Sequence, residues 1–273
     1  MHKIIHSEEE LKWFFDNIIV NLKQSESHFL SLSARNKYLN ESERKEFGLG
    51  RTEMFSLSLV RYNSWEKFLS TVKKYETNEG SYLTKNGSNI PSKAMVCYFN
   101  INPSDCLKAY RDFSKVMNEY FYELAQCSVT GHSTENIMKR INKQPTLLMN
   151  CYQKATGTRH WLDFDFDVDK DFLPYVEKIV EQVEAFSGTA FIIDTKSGFH
   201  LLVSKNTEFY SKFNPKTIVD VAMEDLFEFY VKVYQGEEIT KRLAESEIIH
   251  NKNQMCPLPG TYQGNYPVTV LNK

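Results

Sequence analysis

A chain of 273 residues, 41% hydrophobic and 25% charged, is long enough to bury one large core or two small ones. Its net charge of −2 excludes a globally basic nucleic-acid binder, so any phosphate would have to be held by a local patch or through metal. The five cysteines, Cys97, Cys106, Cys127, Cys151 and Cys256, form no Cys-x-x-Cys pair, which argues against structural zinc and for free thiols in a reducing compartment.

In chain order, Ser7-Glu8-Glu9-Glu10 has the form of a capping box, and Leu11, Phe14, Phe15, Ile18, Ile19 and Leu22 follow at helical spacing. The charged start, Met1 to Glu10, carries no apolar signal core, and no apolar run is long enough to span a bilayer, so an intracellular, soluble protein is expected. Ser31 to Glu46, with Arg35, Lys37, Arg44 and Lys45, reads as a solvated helix surface rather than a phosphate-binding one. Met54 to Val60 alternates like a strand, and Trp65 to Val72 reads as a helix behind Ser64. Asn78 to Ser92 is a loop with a turn at Lys85-Asn86-Gly87-Ser88. Ala94 to Ile101 is a buried strand, ended by Asn102-Pro103-Ser104, and a helix follows from Asp105 to Ala125.

Ser128 to Ser133 is the expected internal boundary, dividing a helical and mixed region, 1–130, from a second region, 131–273. A short helix near Glu135 to Ile141 and a strand Thr146 to Cys151 are expected next. Beyond Asp171, Leu173 to Phe186 is an amphipathic helix and Ala190 to Asp194 and Phe199 to Val203 are strands. Thr217 to Tyr234 is helical, Glu237 to Lys252 is polar and carries no clear period, and a last strand runs from Pro267 to Leu271. The expected fold class is mixed α/β.

The chemistry concentrates in Leu162 to Asp169, where four aspartates alternate with Leu162, Phe164, Phe166 and Val168. That is the period of a strand, so Asp163, Asp165 and Asp167 share one face and the apolar residues the other. Carboxylates this close repel one another unless a cation sits among them, and a divalent metal is the usual answer. Downstream, Lys196, Ser197 and the amides beside Gly198 lie close in sequence to His200, a set able to hold an anion next to an imidazole.

These residues carry a resemblance. Leu162-Asp163-Phe164-Asp165-Phe166-Asp167 resembles motif I of the archaeo-eukaryotic primase superfamily, and Ser197-Gly198-Phe199-His200-Leu201-Leu202-Val203 resembles its motif II. Pro257-Leu258-Pro259-Gly260-Thr261-Tyr262-Gln263-Gly264 is similar to the turn near the end of that catalytic core. The resemblance implies a catalytic core with an RRM-like antiparallel sheet flanked by helices, working as a primase or primase-polymerase. Single-stranded DNA would be the template and nucleoside triphosphates the substrates, with two Mg2+ or Mn2+ ions on the carboxylates. It implies Asp165 and Asp167, or Asp163 and Asp165, as metal ligands, and His200 on the incoming phosphates with Ser197 and Lys196. For the superfamily's third acid the chain departs from the pattern, offering Glu245 behind Ala244 and Glu247 behind Ser246, of which Glu247, followed by Ile248 and Ile249, is taken. The superfamily's cysteine and histidine knuckle is absent, as in the compact enzymes of viruses, phages and plasmids, and without a helicase P-loop unwinding would fall to a replisome partner.

Two other readings stand beside it. Phe191-Ile192-Ile193-Asp194-Thr195-Lys196 resembles the Asp-x-Lys strand of PD-(D/E)xK nucleases, with Asp194 on metal and Lys196 on the attacking water. Alternatively, Phe and Tyr residues on an open sheet would stack on single-stranded bases without catalysis.

Overall fold

The computed structural model describes residues 2–61, 64–78, 80–84, 86–205, 214–251 and 255–273. They form a mixed α+β protein with two antiparallel sheets and, among the described residues, nine α-helices. None of those helices is long and apolar enough to cross a membrane. The chain divides into two compact units, one made of residues 1–21, 29–101 and 160–273 and the other of 22–28 and 102–159. Residues 130 and 131, where composition suggested a boundary, both belong to the second unit.

In the first unit, helix α1 (Glu8–Asn17) starts as its capping sequence requires, with the Ser7 side chain accepting from the Glu10 amide. Strand β1 (Glu26–Arg35), which enters this unit at Phe29, stands where the start of the solvated helix was expected. Its residues from Glu26 to Ala34 are all buried, because Ser27, Ser31 and Ser33 lie in the sheet interior and hide the apolar period of Phe29, Leu30 and Leu32. The helix expected there is confined to α2 (Glu41–Phe47), closed by a capping box between Asn40 and Glu43. Strand β2 (Thr52–Val60), helix α3 (Trp65–Lys73) and strand β3 (Met95–Asn100) follow where expected. Of the turn expected at 85–88, Lys85 lies outside the described residues, while Gly87 donates its amide to the Thr84 carbonyl.

The second unit holds strand β4 (Ser104–Asp105) and helices α4 (Cys106–Thr130), α5 (Glu135–Ile141) and α6 (Gln144–Lys154). The strand expected at Thr146 to Cys151 is thus a helix; Pro145 in its first turn suits a helix start, and its apolar residues pack on α4 as the core around Ala109 and Tyr152. This unit has a hydrogen-bonded neck: the Asp105 amide donates to Ala155, the Gly157 amide to Pro103, and Ser104 bridges Thr156. The Glu26 carboxylate closes the neck from the side, accepting from the Thr158 amide and hydroxyl and from the Lys23 amide.

Back in the first unit come β5 (Trp161–Asp167), α7 (Leu173–Ala185), β6 (Ala190–Thr195), β7 (Gly198–Ser204), α8 (Pro215–Val233), α9 (Glu237–Glu245) and β8 (Glu247–His250). The polar stretch from Glu237 therefore resolves into a helix and a strand. Short strands β9 (Met255–Pro257), β10 (Tyr262–Gln263), β11 (Tyr266–Pro267) and β12 (Thr269–Val270) finish the chain. The first sheet runs β11-β10-β3-β1-β2 and the second β12-β6-β7-β5-β8.

The second sheet buries both faces unequally. Leu162, Phe164, Phe166, Phe199, Leu201 and Ile192 meet Val176, Ile179 and Val183 of α7 and Ala222, Leu226 and Phe229 of α8 in one core. Each fully buried Phe there contributes about 1.5–3 kcal/mol by leaving water. On the opposite face, Trp161, Ile193 and Leu202 join Leu30, Leu32, Phe99 and Cys256 in the core beneath the first sheet. That second core covers only part of the face, and the acidic end of β5 emerges beside it.

Candidate active site

Strand β5 lies between β7 and β8. Its register sets Asp165 opposite His200 and Ile249, Asp163 opposite Leu202, and Asp167 opposite Glu247. Directly opposed residues project to the same face, so Asp163, Asp165, Asp167, His200 and Glu247 all share one. Alternation alone predicted that face for the three aspartates, and the apolar residues between them do occupy the other.

Exposure rises along the strand. Asp163 is fully buried, whereas the Asp165 and Asp167 side chains are 36% and 37% exposed. Both carboxylate oxygens of Asp163 are held by protein: His200 Nδ1 lies 2.8 Å from Oδ1, and Asn251 Nδ2 donates to Oδ2 at 2.6 Å. The backbone of Asn251 also donates to the Asp163 carbonyl, which fixes the pair. With Nδ1 engaged, the imidazole turns Nε2 towards Asp165, 3.5 Å from its Oδ1. Burial works to depress the His200 pKa, but Asp163 and Asp165 together hold it well above the ordinary histidine value. Burial and the neighbouring Asp163 and Asp167 charges raise the Asp165 carboxyl, against the opposing pull of His200 and Lys37.

Gly198, two residues before His200, sits where β7 passes closest to β5. A Cβ there would fall 1.8 Å from the Phe166 carbonyl oxygen, so only glycine lets β7 pass β5 at this point. Lys170 ties down the adjoining turn: it binds Asp194 and the Thr195 carbonyl, and donates to the Gly198 carbonyl at 2.8 Å. Tyr266 donates to the other oxygen of Asp194 at 2.6 Å. Asp194 stands opposite Phe199, one residue out of phase with the Ile193–His200 pair, and so projects to the face away from Asp163, Asp165 and Asp167.

Lys196 and Ser197 reach the acidic side. Lys37 donates to Ser197 Oγ at 3.2 Å and stands 3.8 Å from Asp167 Oδ2. The Lys196 amide donates to Gln263 Oε1, and Gln263 Nε2 donates to the Tyr38 hydroxyl. The turn from Pro257 to Gly264 thus serves the site through Gln263. Its Gly260, at φ +86°, lies against the start of α1, where a Cβ would come within 2.6 Å of the Ser7 carbonyl oxygen. A cleft of about 290 Å3 beside Asp167 is lined by Asp169, Ser197, Tyr230, Arg242, Glu245 and Ser246.

Lys37, Tyr38 and Asn251 are the residues that sequence reasoning did not place here. In sequence Lys37 is one cation of a polar stretch, and nothing in the spacing ties it to Asp167, which lies on a strand of the second sheet. Asn251 follows β8 directly, and only the pairing of that strand brings it to Asp163.

Among the described residues, no three His, Cys, Asp or Glu side chains are gathered closely enough to hold a metal ion by themselves. Asp165 and Asp167 nonetheless offer two solvent-accessible carboxylates on one face, the hard oxygen donors Mg2+ and Mn2+ take when water and phosphate complete the shell. All five cysteines are free, and Cys256, buried beside His200, has its thiol pushed up to about 11 by burial.

Comparison with protein families, with curated proteins and with solved structures finds no match to this chain.

Proposed function

We propose that this protein is a primase or primase-polymerase, joining nucleoside triphosphates on a single-stranded DNA template. The observation that carries the reading is one face on which the exposed pair Asp165 and Asp167 meets His200 from the next strand, with Lys37, Lys196 and Ser197 at its edge. The second sheet supports it further. Strand, helix, two strands, helices and strand follow in chain order, and β8-β5-β7-β6 are neighbours with α7 and α8 against one face, the arrangement of an RRM-like sheet.

In this reading Asp165 and Asp167 hold Mg2+ or Mn2+, and Glu247, exposed opposite Asp167, is the third acid. Bound metal supplies neutralisation of the charge that builds on the attacking and leaving oxygens. Asp163 is not a ligand, since both its oxygens are committed to His200 and Asn251; it holds His200 in orientation. His200 presents Nε2 to a phosphate oxygen, and its raised pKa keeps it a donor at neutral pH. Ser197 and Lys196 bind the same phosphates.

The geometry favours this reading over the other two. Asp194 lies on the wrong face for a nuclease that needs it beside Asp165, and Lys170 and Tyr266 already occupy its oxygens. Base stacking draws no support from the aromatic residues of the strands themselves, because Phe164, Phe166 and Phe199 point to the opposite core and Trp161 is buried. The test is synthesis of labelled primers on single-stranded DNA with Mg2+ or Mn2+. Products that disappear in Asp165→Ala and His200→Ala support the proposal. Shortening of the template without added nucleotides would indicate a nuclease instead, and metal-independent binding with no product would indicate a binding module.

A further inference from the structure

Helix α4 carries two apolar stripes. One, through Ala109, Phe113, Met117, Tyr120 and Leu124, packs on α5 and α6 in the cores of the second unit. The other is uncovered. At 3.6 residues per turn, Leu107, Tyr110, Phe121, Tyr122, Ala125 and Val129 fall within about 120° of one another, away from that packed side. The five large side chains among them are between 51% and 88% exposed, and the smaller Ser114 and Asn118 lie at the centre of the stripe. Those five leave roughly 600 Å2 open to water, an apolar patch of the size that marks an association surface. Two copies would bury about twice that, which passes the ~1,000 Å2 a specific interface needs.

The charges beside the stripe select its cover. Lys108, Arg111 and Lys115 flank the first half of the helix, with Asp112 behind them, and Glu119 and Glu123 flank the second half on the same side. Among the described residues Lys108, Arg111, Lys115 and Glu119 have no ion-pair partner, while Glu123 is held by Arg140. In an antiparallel pair about a two-fold axis, each flank meets its own copy reversed. An axis near Met117 and Asn118 sets Lys115 against Glu119 and Arg111 against Glu123, each contact occurring twice. The same register sets the partner's Leu107 against Val129, where Tyr122, Ala125 and His132 line a shallow cleft of about 580 Å3. It also sets the bulky Tyr122 against the small Ser114. A parallel pair would oppose like charges, and a phosphate backbone would want cations along the whole stripe.

We propose that this protein is a homodimer through α4, which packs antiparallel on its own copy along Leu107, Tyr110, Phe121, Tyr122 and Val129. The second unit, which holds none of the residues of the acidic face, is then the assembly element of the chain. The dimer does not depend on the chemistry proposed for that face.

The test is sedimentation equilibrium of the full-length protein. The wild type should be a dimer at about 50 μM, and Tyr122→Asp and Val129→Asp should each weaken dimerisation at least tenfold, with helix content by circular dichroism unchanged. Phe227→Asp, on the exposed side of α8, should leave the dimer intact. Lys115→Glu and Glu119→Lys should each weaken the dimer, and the double variant should restore it, because every reversed contact is then reversed again. A monomeric wild type, a dimer indifferent to both stripe variants, or a double charge variant no better than the singles would overturn the proposal. So would a monomer that binds a single-stranded oligonucleotide and loses it in Tyr122→Asp, which would assign the stripe to nucleic acid.

Discussion

Asp163 and Asp165 differ by two positions and one environment, and the difference decides what each can do. Asp163 is sealed under the sheet with His200 and Asn251 on its two oxygens, while Asp165 opens to solvent beside Asp167. Asp163→Asn should therefore lower primer synthesis by about 10–100-fold, the usual effect of removing a carboxylate that orients a histidine. The loss should lie mainly in kcat, with metal affinity, followed by Mn2+ titration, changed less than in Asp167→Asn. Asp163→Ala leaves the buried imidazole without its partner and should cost about 3–5 kcal/mol in denaturant unfolding. The alternation of Asp and Phe made the shared face legible from sequence. Which carboxylate is buried was not legible, because it depends on how far the core under the first sheet reaches along β5.

At the scale of elements, crossing points and closures matter more than propensity. Gly198→Ala should prevent normal pairing of β7 with β5 and destabilise the fold by more than about 3 kcal/mol, checked by urea unfolding, since the added methyl meets backbone rather than a side chain that can move. Glu26 offers a pH-dependent counterpart. Burial raises its carboxyl, but the donors from Thr158 and Lys23 outweigh that and hold it below the usual 4.5. A depressed folded-state pKa stabilises above the unfolded value and loses that contribution as pH falls through the folded one. Wild-type protein should thus be more stable than Glu26→Gln at pH 7, and the margin should shrink as pH falls below about 4.5, measured as melting temperature across pH. Most helices and strands could be read from their period: α1, α3, α5 and α7 lie within a few residues of where the pattern places them. The failures, β1 and α6, come from serines inside a buried strand and from a short apolar run that fits either element.

The whole molecule is organised by contacts between parts of the chain that are far apart in sequence, which is where the local pattern stops informing. The first unit assembles residues 1–21, 29–101 and 160–273, and the second joins 22–28 to 102–159. No composition shift marks residues 22–28 as belonging with a segment 80 residues away; the hydrogen bonds of Glu26 and the pairing of Ser27 with Ser104 do. If the proposed chemistry resides in the first unit, replacing Leu107 to Gln153 by a short glycine-serine linker should leave a chain that unfolds cooperatively with Trp161 buried, followed by its fluorescence. A non-cooperative transition would show that the first unit depends on the second. The neck at Pro103–Asp105 and Ala155–Gly157 gives this experiment its footing. A detour tied at its base has already met the entropy of bringing its ends together, and further length adds to that cost only logarithmically. Its length is therefore nearly a free variable of the protein. The left-handed turn at Gly131, where an added Cβ would meet nothing within 4 Å, is the natural point at which this chain would tolerate a fused tag or a longer sequence.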